Sequence, residues 1–157
     1  MSIDREAIGN ALYAQLTASG MFGAGSGRKF KPYSAAGGKP ALLLRDGEEL
    51  TERPAALPRG LPPVQVFAYE VWLYADPAGA TTPNAGNLNP LVSAVDLALQ
   101  PGPASEVITL GGLVQHCWIE GKTIKDVSDT VNQPTAVVPV LVKVVANPLN
   151  QWAPPSS

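Results

Sequence analysis

Apolar residues spaced four apart mark the beginning of the chain. Three residues within positions 3–19 share this spacing: Ile8, Leu12 and Leu16. Residues four apart lie on one face of a helix, and acidic side chains such as Asp4 and Glu6 favour the amino-terminal end of the helix dipole. Glycine, here Gly20, commonly follows a helix end. The pattern therefore predicts an amphipathic helix over residues 3–19.

Three later segments are dense in apolar, β-branched or aromatic residues, which favours strands. They are residues 40–45 (PALLLR), 64–75 (VQVFAYEVWLYA) and 135–145 (TAVVPVLVKVV). The Asp46-Gly47 pair predicts a turn that ends the first strand. The second segment is apolar on both faces except at Gln65 and Glu70, so we expect it to be covered on both sides. Pro139 interrupts the third segment, which requires an edge position or a bulge.

A second helix is predicted from residue 89. Asn89 can cap the helix with its side chain, and Pro90 suits the first helical position. One face of this helix collects five apolar residues: Leu91, Val92, Val95, Ala98 and Leu99. The Pro-Gly-Pro break at residues 101–103 ends the helix, and residues 107–110 are a candidate for a brief strand.

Residues 109–121 (TLGGLVQHCWIEG) contain the only histidine and the only cysteine of the chain. After the Gly-Gly break, the side chains alternate between two faces, as in a strand. The expected faces are Val114, His116, Trp118 and Glu120 on one side, and Gln115, Cys117 and Ile119 on the other. Neighbouring strand residues point to opposite sides, so His116 and Cys117 cannot act together as base and nucleophile within one subunit.

The order of these elements suggests an α+β fold. Helix, strand, long strand, helix and further strands fit a mostly antiparallel β-sheet with two main α-helices packed on it and long flexible loops. With 157 residues, of which 45% are hydrophobic, the chain can bury the core of one ordinary domain. We predict a single domain over residues 1–146 and a proline-rich tail over residues 147–157.

Charge and composition argue against several classes of partner. The formal net charge of -2 provides no overall attraction to nucleic acid or anionic lipid, so we expect no membrane partner and no sequence-specific nucleic acid binding. No apolar run approaches the length of about 20 residues that spans a bilayer. Acidic residues near the amino terminus and a single cysteine argue against a secretion signal and an internal disulfide.

Basic and aromatic residues cluster in the glycine-rich segment of residues 20–38. The cluster contains Arg28, Lys29, Phe30, Lys31 and Tyr33. A phosphate-binding loop is excluded, because serine or threonine does not follow the lysine and no helix is predicted next. The cluster is either a solvated loop face or a contact to an acidic partner surface. Trp152, between prolines in the tail, is a further candidate partner contact, with packing on its own domain as the alternative.

The sequence offers no complete set of catalytic or metal-binding residues. A zinc site needs three or four ligands, and one histidine and one cysteine leave the rest to scattered carboxylates. The carboxylate pairs Glu48 with Glu49 and Asp126 with Asp129 lie in polar segments, where solvated charges are expected. We therefore predict no enzyme activity, no catalytic residue, no metal and no cofactor.

Five segments together resemble the tail terminator proteins of long-tailed bacteriophages. They are DREAIGNALYAQL, PALLLRDGEE, YEVWLYA, NLNPLVSAVDLAL and TLGGLVQHCWIEG, and the similarity in their order and spacing spans residues 3–145. The resemblance implies a small α+β fold and a structural virion protein that assembles into a hexameric ring on the tail tube. Such a ring ends tube polymerisation and joins the tail to the head. The protein would be assembled in the bacterial cytoplasm and located in the tail or neck of the virion.

The resemblance implies two partners besides other copies of the chain, namely the tail-tube protein and the head-side connector or neck protein. Residues 20–38 and 76–86 are our candidates for contacts along the tail axis. Two alternatives stay open. The first is another neck or tail component, such as a head-tail joining protein or a tube subunit, and the second is a small ligand-binding domain or enzyme. A tube subunit should form long filaments, whereas a terminator should form rings.

Overall fold

A computed structural model describes residues 3–23, 26–28, 40–52, 64–75, 88–101, 107–127 and 134–145. These residues form two helices and six strands. In chain order they are α1 (Arg5–Leu16), β1 (Gly27–Arg28), β2 (Ala41–Glu52), β3 (Val64–Tyr74), α2 (Asn89–Ala98), β4 (His116–Ile119), β5 (Ile124–Val127) and β6 (Pro134–Val145). The predicted α+β class, with a mostly antiparallel sheet and two main helices, is confirmed.

All six strands belong to one sheet, in the order β1, β2, β3, β6, with β4 and β5 both beside β6. β3 pairs with β6 along its whole length, from Val64 opposite Val145 to Tyr74 opposite Thr135. β4 and β5 follow one another along the other side of β6. Every pairing is antiparallel except the short parallel contact between β1 and β2.

The two faces of the sheet differ in what covers them. Both helices pack on one side, here called the inner face, where alternate residues of the long strands are buried. Its core includes Ile8, Leu12, Leu16, Leu44, Phe67, Val71, Leu73, Leu91, Val95, Val138, Val140 and Val142. The intervening residues point to the opposite side, here called the outer face, because strand side chains alternate.

The first predicted helix is confirmed, although it is shorter at both ends. α1 spans Arg5–Leu16, and the Asp4 side chain caps it by accepting a hydrogen bond from the Ala7 amide at 3.0 Å. This bond satisfies one of the amides that have no partner inside the helix. Gly20 has a φ of 75°, a left-handed backbone conformation that suits the turn after the helix.

The second predicted helix is also confirmed, but the expected cap is wrong. Leu88 occupies the capping position, and no side-chain hydrogen bond caps α2. Asn89 lies inside the helix, and its Oδ1 accepts a hydrogen bond from Lys125 Nζ at 2.8 Å. The Asn89 side chain, which was expected to cap the helix, therefore contacts β5 instead. The predicted apolar face is correct, since all five of its residues pack in or against the inner core.

β2 continues through the Asp46-Gly47 pair, so the predicted turn at this point is wrong. The pairing register with β3 shifts between Asp46 and Glu49, which identifies a β-bulge. The extra residue reverses the alternation, so that Asp46 and Glu49 both face inward although they are three residues apart. Leu50 is consequently turned to the outer face, opposite Val66.

The strand predicted after the Gly-Gly break, with alternating residues from Val114 to Glu120, is also shorter than expected. β4 covers only His116–Ile119, and turns precede it. Val114, which was expected to share a face with His116, is buried in the inner core instead. The opposite orientation of His116 and Cys117 is confirmed, because their partners on β6 lie on opposite faces of the sheet.

β5 lies in a segment that the sequence pattern indicates as a polar connection, and residues 107–110 form no strand. The position of β5 is related to Pro139 in β6. The carbonyl oxygen of Pro139 accepts a hydrogen bond from the Glu120 amide at 3.2 Å, so its nitrogen also points toward β4 and β5. Proline has no N–H to donate there. The prediction that Pro139 requires an edge position or a bulge is therefore wrong, because β6 is not an edge strand and its register with β3 is unbroken. Instead, the adjoining strand is interrupted at this point, between β4 and β5.

We expect Gly47→Ala to lower the free energy of unfolding by about 1–3 kcal/mol. A Cβ at this position would lie 2.8 Å from the backbone oxygen of Ala68, and backbone cannot move as easily as a side-chain end. Denaturant unfolding followed by circular dichroism measures the change. Glu48→Ala, at an exposed neighbouring position, is the matched control and should stay within about 0.5 kcal/mol of the parent protein. Equal stability of the two variants would contradict the close approach at the bulge.

Candidate functional site

Arg28 is the one member of the predicted basic and aromatic cluster that falls within the described residues, and it binds groups of its own chain. Its Nη1 donates hydrogen bonds to Glu6 Oε1 and, at 3.0 Å, to Asn10 Oδ1 of α1. Its Nη2 lies 2.9 Å from both carboxylate oxygens of Asp46 in β2. The Arg28 side chain is only 18% exposed. Arg28 therefore ties β1 to α1 and to the bulge of β2.

Backbone contacts hold the segment that carries Arg28 against β2. The Gly23 amide donates to the Pro40 carbonyl at 2.7 Å, and the Leu42 amide donates to Ser26 Oγ at 3.0 Å. β1 then adds its short parallel pairing with β2. The described part of the glycine-rich segment is thus docked on the sheet as far as Arg28.

The surrounding carboxylates keep the Arg28 guanidinium charged. Burial alone lowers the pKa of Arg28, but the hydrogen bond and charge of Asp46 and the charge of Glu6 outweigh burial, so the pKa is raised. Tyr69 lies opposite Asp46 on β3. Burial, followed by the negative charge of Asp46, raises the pKa of Tyr69 to about 12. The cluster therefore combines a charged guanidinium with a neutral phenol at neutral pH.

α1 approaches the Arg28 guanidinium most closely at Gly9. A Cβ at this position would overlap the guanidinium. Glycine inside a helix costs roughly 0.5–1 kcal/mol relative to alanine. Glycine at position 9 therefore costs some helix stability, but it allows α1 to lie against the buried guanidinium.

A second ion pair lies beside the Arg28 cluster. Arg5 Nε is 2.9 Å from both carboxylate oxygens of Glu49, and the Arg5 guanidinium lies 5.4 Å from the centre of the Phe67 ring. The side chains of Arg5 and Glu49 are 47% and 42% exposed, so water and salt screen the pair and its contribution is about 1 kcal/mol or less. These contacts connect the start of α1 to β2 and β3.

His116 and Cys117 are held in separate environments. The His116 ring stacks on Trp118, with 5.1 Å between ring centres, and its Nδ1 accepts a hydrogen bond from the Ile108 amide at 3.1 Å. Cys117 is buried in the inner core, and burial raises the pKa of its thiol to about 11. A neutral buried thiol is a poor nucleophile. Among the described residues, no group of three or more His, Cys, Asp or Glu side chains is placed to hold a metal ion.

The outer face is rich in apolar side chains, and neither α1 nor α2 packs on it. Two apolar rows cross the strands: Leu43, Trp72, Val137 and Ile124 in one, and Ala68, Leu141 and Trp118 in the other. Ile124 is 60% exposed, and most of the other residues in these rows are half-buried. The ion pair of Arg45 with Glu70, 3.6 Å apart, lies between the rows. Apolar side chains grouped on a sheet face in this way are typical of contacts with another chain.

β3 was expected to be covered on both sides, and the two sides differ. Its inner side is buried from Phe67 to Leu73. On the outer side only Tyr74 is buried, in a small cluster with Ala41 and Leu43 against which Trp72 packs. The remaining outer residues of β3 are half-buried. The expectation is therefore confirmed for the inner face and for one end of the outer face.

The other predicted contact residues lie outside the described residues: Lys29, Phe30, Lys31, Tyr33 and Trp152. Residues 29–38 and 76–86, the larger part of the candidate axial contacts, lie outside them as well. Sequence reasoning missed the acidic partners of Arg28. Asp46 was interpreted as a turn residue, although a glycine within an otherwise strand-like run also indicates a bulge. That signal would have placed Asp46 within the strand.

In comparisons with known proteins, no family model and no curated protein sequence matches the chain. Within the part of the chain that the structure describes, neither helix is long and apolar enough to cross a membrane.

Gly9→Ala should destabilise the protein even though alanine is the better helix former. We expect a loss of about 1–2 kcal/mol in the free energy of unfolding, because the new Cβ displaces the guanidinium from its carboxylates. In an Arg28→Ala background the same substitution should stabilise the protein by roughly 0.5–1 kcal/mol, the gain in helix propensity alone. Denaturant unfolding of the parent protein, the two single variants and the double variant gives the coupling free energy between residues 9 and 28. An equal effect of Gly9→Ala in both backgrounds would show that the two residues do not interact.

The Cys117 thiol should react very slowly in the folded protein. A thiol with a pKa near 11 has on the order of 100-fold less thiolate at about pH 8 than an ordinary cysteine, and burial slows the reaction further. Labelling with a coloured thiol reagent, with and without denaturant, measures the difference. The rate in the folded protein should rise with pH up to about 11. Fast labelling without denaturant at about pH 8 would rule out the buried, neutral thiol.

Proposed function

We propose that this chain is a structural subunit of a bacteriophage tail. It assembles into a closed ring that ends polymerisation of the tail tube and joins the tail to the head-side connector. The apolar outer face carries the proposal, because a ring subunit needs apolar surface beyond its own core for contacts with other chains. The similarity of five segments to tail terminators supports the type of assembly.

The proposed assembly is hexameric, as the resemblance implies, and its partners are the tail-tube protein and the neck protein on the head side. Arg28 contacts Glu6, Asn10 and Asp46 of its own chain, which leaves it few free donors for a partner. We assign the axial contacts to residues 29–38 and 76–86, and a further contact to Trp152. The site of action is the tail or neck of the virion.

The arrangement of polar groups supports assembly more than catalysis. An active site requires polar side chains that converge on one cavity. Among the described residues, the strongest polar cluster binds Arg28 internally, and His116 and Cys117 point to opposite faces. A small enzyme or ligand-binding domain is therefore the weaker alternative.

A tail-tube subunit or a head-tail joining protein could use the same apolar face, so closure of the assembly decides between these functions. A contact between unlike surfaces gives a ring when its rotation closes and a filament when it does not. The outer face alone is compatible with both results.

Negative-stain microscopy and mass photometry of the purified full chain test the proposal. We expect closed rings of uniform diameter whose mass is a fixed multiple of the 16.4 kDa chain. If free chains are monomeric, a small amount of the protein added to polymerising tail-tube subunits should shorten the tubes. Long filaments of this chain would favour the tube-subunit alternative. Failure both to form rings and to limit tube length would refute the terminator function.

The outer face can be tested with one charge placed in its apolar rows. Leu141→Lys should abolish assembly or tube capping, because a charge at the centre of a packed interface loses its water. Leu97→Lys on α2, where Leu97 is 67% exposed, is the matched control and should assemble normally. Circular dichroism must first show that both variants are folded. A folded Leu141→Lys variant that assembles like the control would exclude the outer face as the contact surface.

A further inference from the structure

Within the described residues, the second half of β2 forms an open, acidic edge of the sheet. β1 pairs with β2 only at Leu43 and Leu44, so within the described residues the strand after the bulge has a neighbour on one side only. Glu48 is exposed and makes no ion pair there, and Glu49 is 42% exposed although it binds Arg5. Leu50 is 58% exposed on the outer face. We call Glu48, Glu49 and Leu50 the acidic edge.

The opposite end of the sheet carries the complementary groups. β5 pairs with β6 on one side, and no other described strand pairs with it. Lys122 is exposed and without an ion pair among the described residues, and Lys125 is exposed with a single hydrogen bond to Asn89. Ile124 is 60% exposed on the outer face. We call Lys122, Ile124 and Lys125 the basic edge.

We propose that the acidic edge of one copy of this chain pairs with the basic edge of the next copy, which extends the sheet from subunit to subunit. Open strand edges present unpaired N–H and C=O groups that a second strand can satisfy. The side chains match on both faces. In an antiparallel register Leu50 meets Ile124 on the outer face, and Glu49 meets Lys125 on the inner face. The same register places Lys122 opposite Glu52, and it places Glu48, beside the bulge, opposite Asp126.

The charges set the direction of this contact. Pairing two acidic edges would place Glu48 and Glu49 against the same residues of the other copy, and like charges opposite one another are destabilising. Two basic edges repel in the same way. Only the unlike pairing is attractive, and a contact between unlike edges generates rings or filaments instead of two-fold dimers.

Acidic side chains and a bulge at an edge strand also have a protective role, because they prevent indiscriminate pairing. Protection alone does not require the opposite edge to carry lysines, nor an exposed apolar residue on the same face of both edges. Two acidic residues lie near the basic edge: Asp126 within β5, and Glu120, whose Oε1 accepts a hydrogen bond from the Trp118 indole at 3.3 Å. The closure of this edge contact into a ring rests on the proposed function. The pairing of the acidic edge with the basic edge does not.

Cross-linking tests which edges meet. In a Cys117→Ala background of the full chain, Leu50→Cys and Ile124→Cys together should give a ladder of covalent oligomers with a short thiol-specific cross-linker. Each single cysteine variant should stay uncross-linked, because its thiol would face a leucine or isoleucine of the neighbour. Leu97→Cys with Ile124→Cys is the matched control and should give no ladder. Dimers from a single cysteine variant would overturn the proposal in favour of a two-fold contact.

A charge exchange tests the same contact without cysteines. Glu52→Lys should raise the concentration needed for half-maximal assembly by about tenfold at low salt, because it turns the attraction to Lys122 of the next copy into a repulsion. Adding Lys122→Glu to that variant should restore assembly. Asp96→Lys, which changes an exposed residue of α2 by the same charge, should have little effect. A loss of assembly that Lys122→Glu fails to rescue would argue against the pairing of these edges.

The two proposals fail separately. Rings seen by microscopy without a cross-linked ladder would retain the terminator function and overturn the edge contact. A ladder together with long filaments would uphold the edge contact and overturn the terminator in favour of a tube subunit. Monomers without a ladder, even in the presence of tube subunits, would overturn both.

Discussion

The pairing of β3 with β6 is the constraint on which the rest of the structure depends. The two strands match along the whole of β3, and their inward side chains form the centre of the inner core. β2 can then add only beside β3, and β4 with β5 only beside β6. Pro139 lies in the middle of this pair and offers no N–H to the next strand. The interruption between β4 and β5 follows, and it leaves β5 as a separate short strand at the edge.

The bulge in β2 has consequences on both faces of the sheet. It turns Asp46 and Glu49 inward, where they bind Arg28 and Arg5, and it turns Leu50 outward. Regular alternation would place Glu48 inward and Glu49 outward. A buried guanidinium needs a carboxylate at hydrogen-bonding distance, since an unpaired buried charge is far more costly than a paired one. The same local irregularity therefore provides the ion pairs of the inner face and exposes an apolar residue at the edge.

The elements that the sequence predicted best are those with long, regular patterns. α1, β3, α2 and β6 were recognisable because each repeats its apolar residues over three or more turns or pleats. Asp46-Gly47 was misinterpreted because the same dipeptide occurs in hairpin turns and in bulges, and only the continued pairing of β2 with β3 beyond Gly47 decides between them. β5 was missed because IKDV is short and half polar, and because its strand conformation depends on pairing with β6. The binding of Arg28 by Glu6 and Asp46 was not predictable, since it joins residues far apart in sequence.

The distribution of polar and apolar groups limits how this chain can contact a partner. On the inner face the helices cover the core, and among the described residues the arginines beside α1 are neutralised by their own carboxylates. Apolar surface and unpaired charges remain on the outer face and at the two edges. Edge contacts extend a sheet without disturbing its core, and they leave the outer face of every subunit on the same side. A ring joined at its edges would therefore present the apolar rows of every subunit on one side of the sheet, with the Arg45–Glu70 ion pair between them.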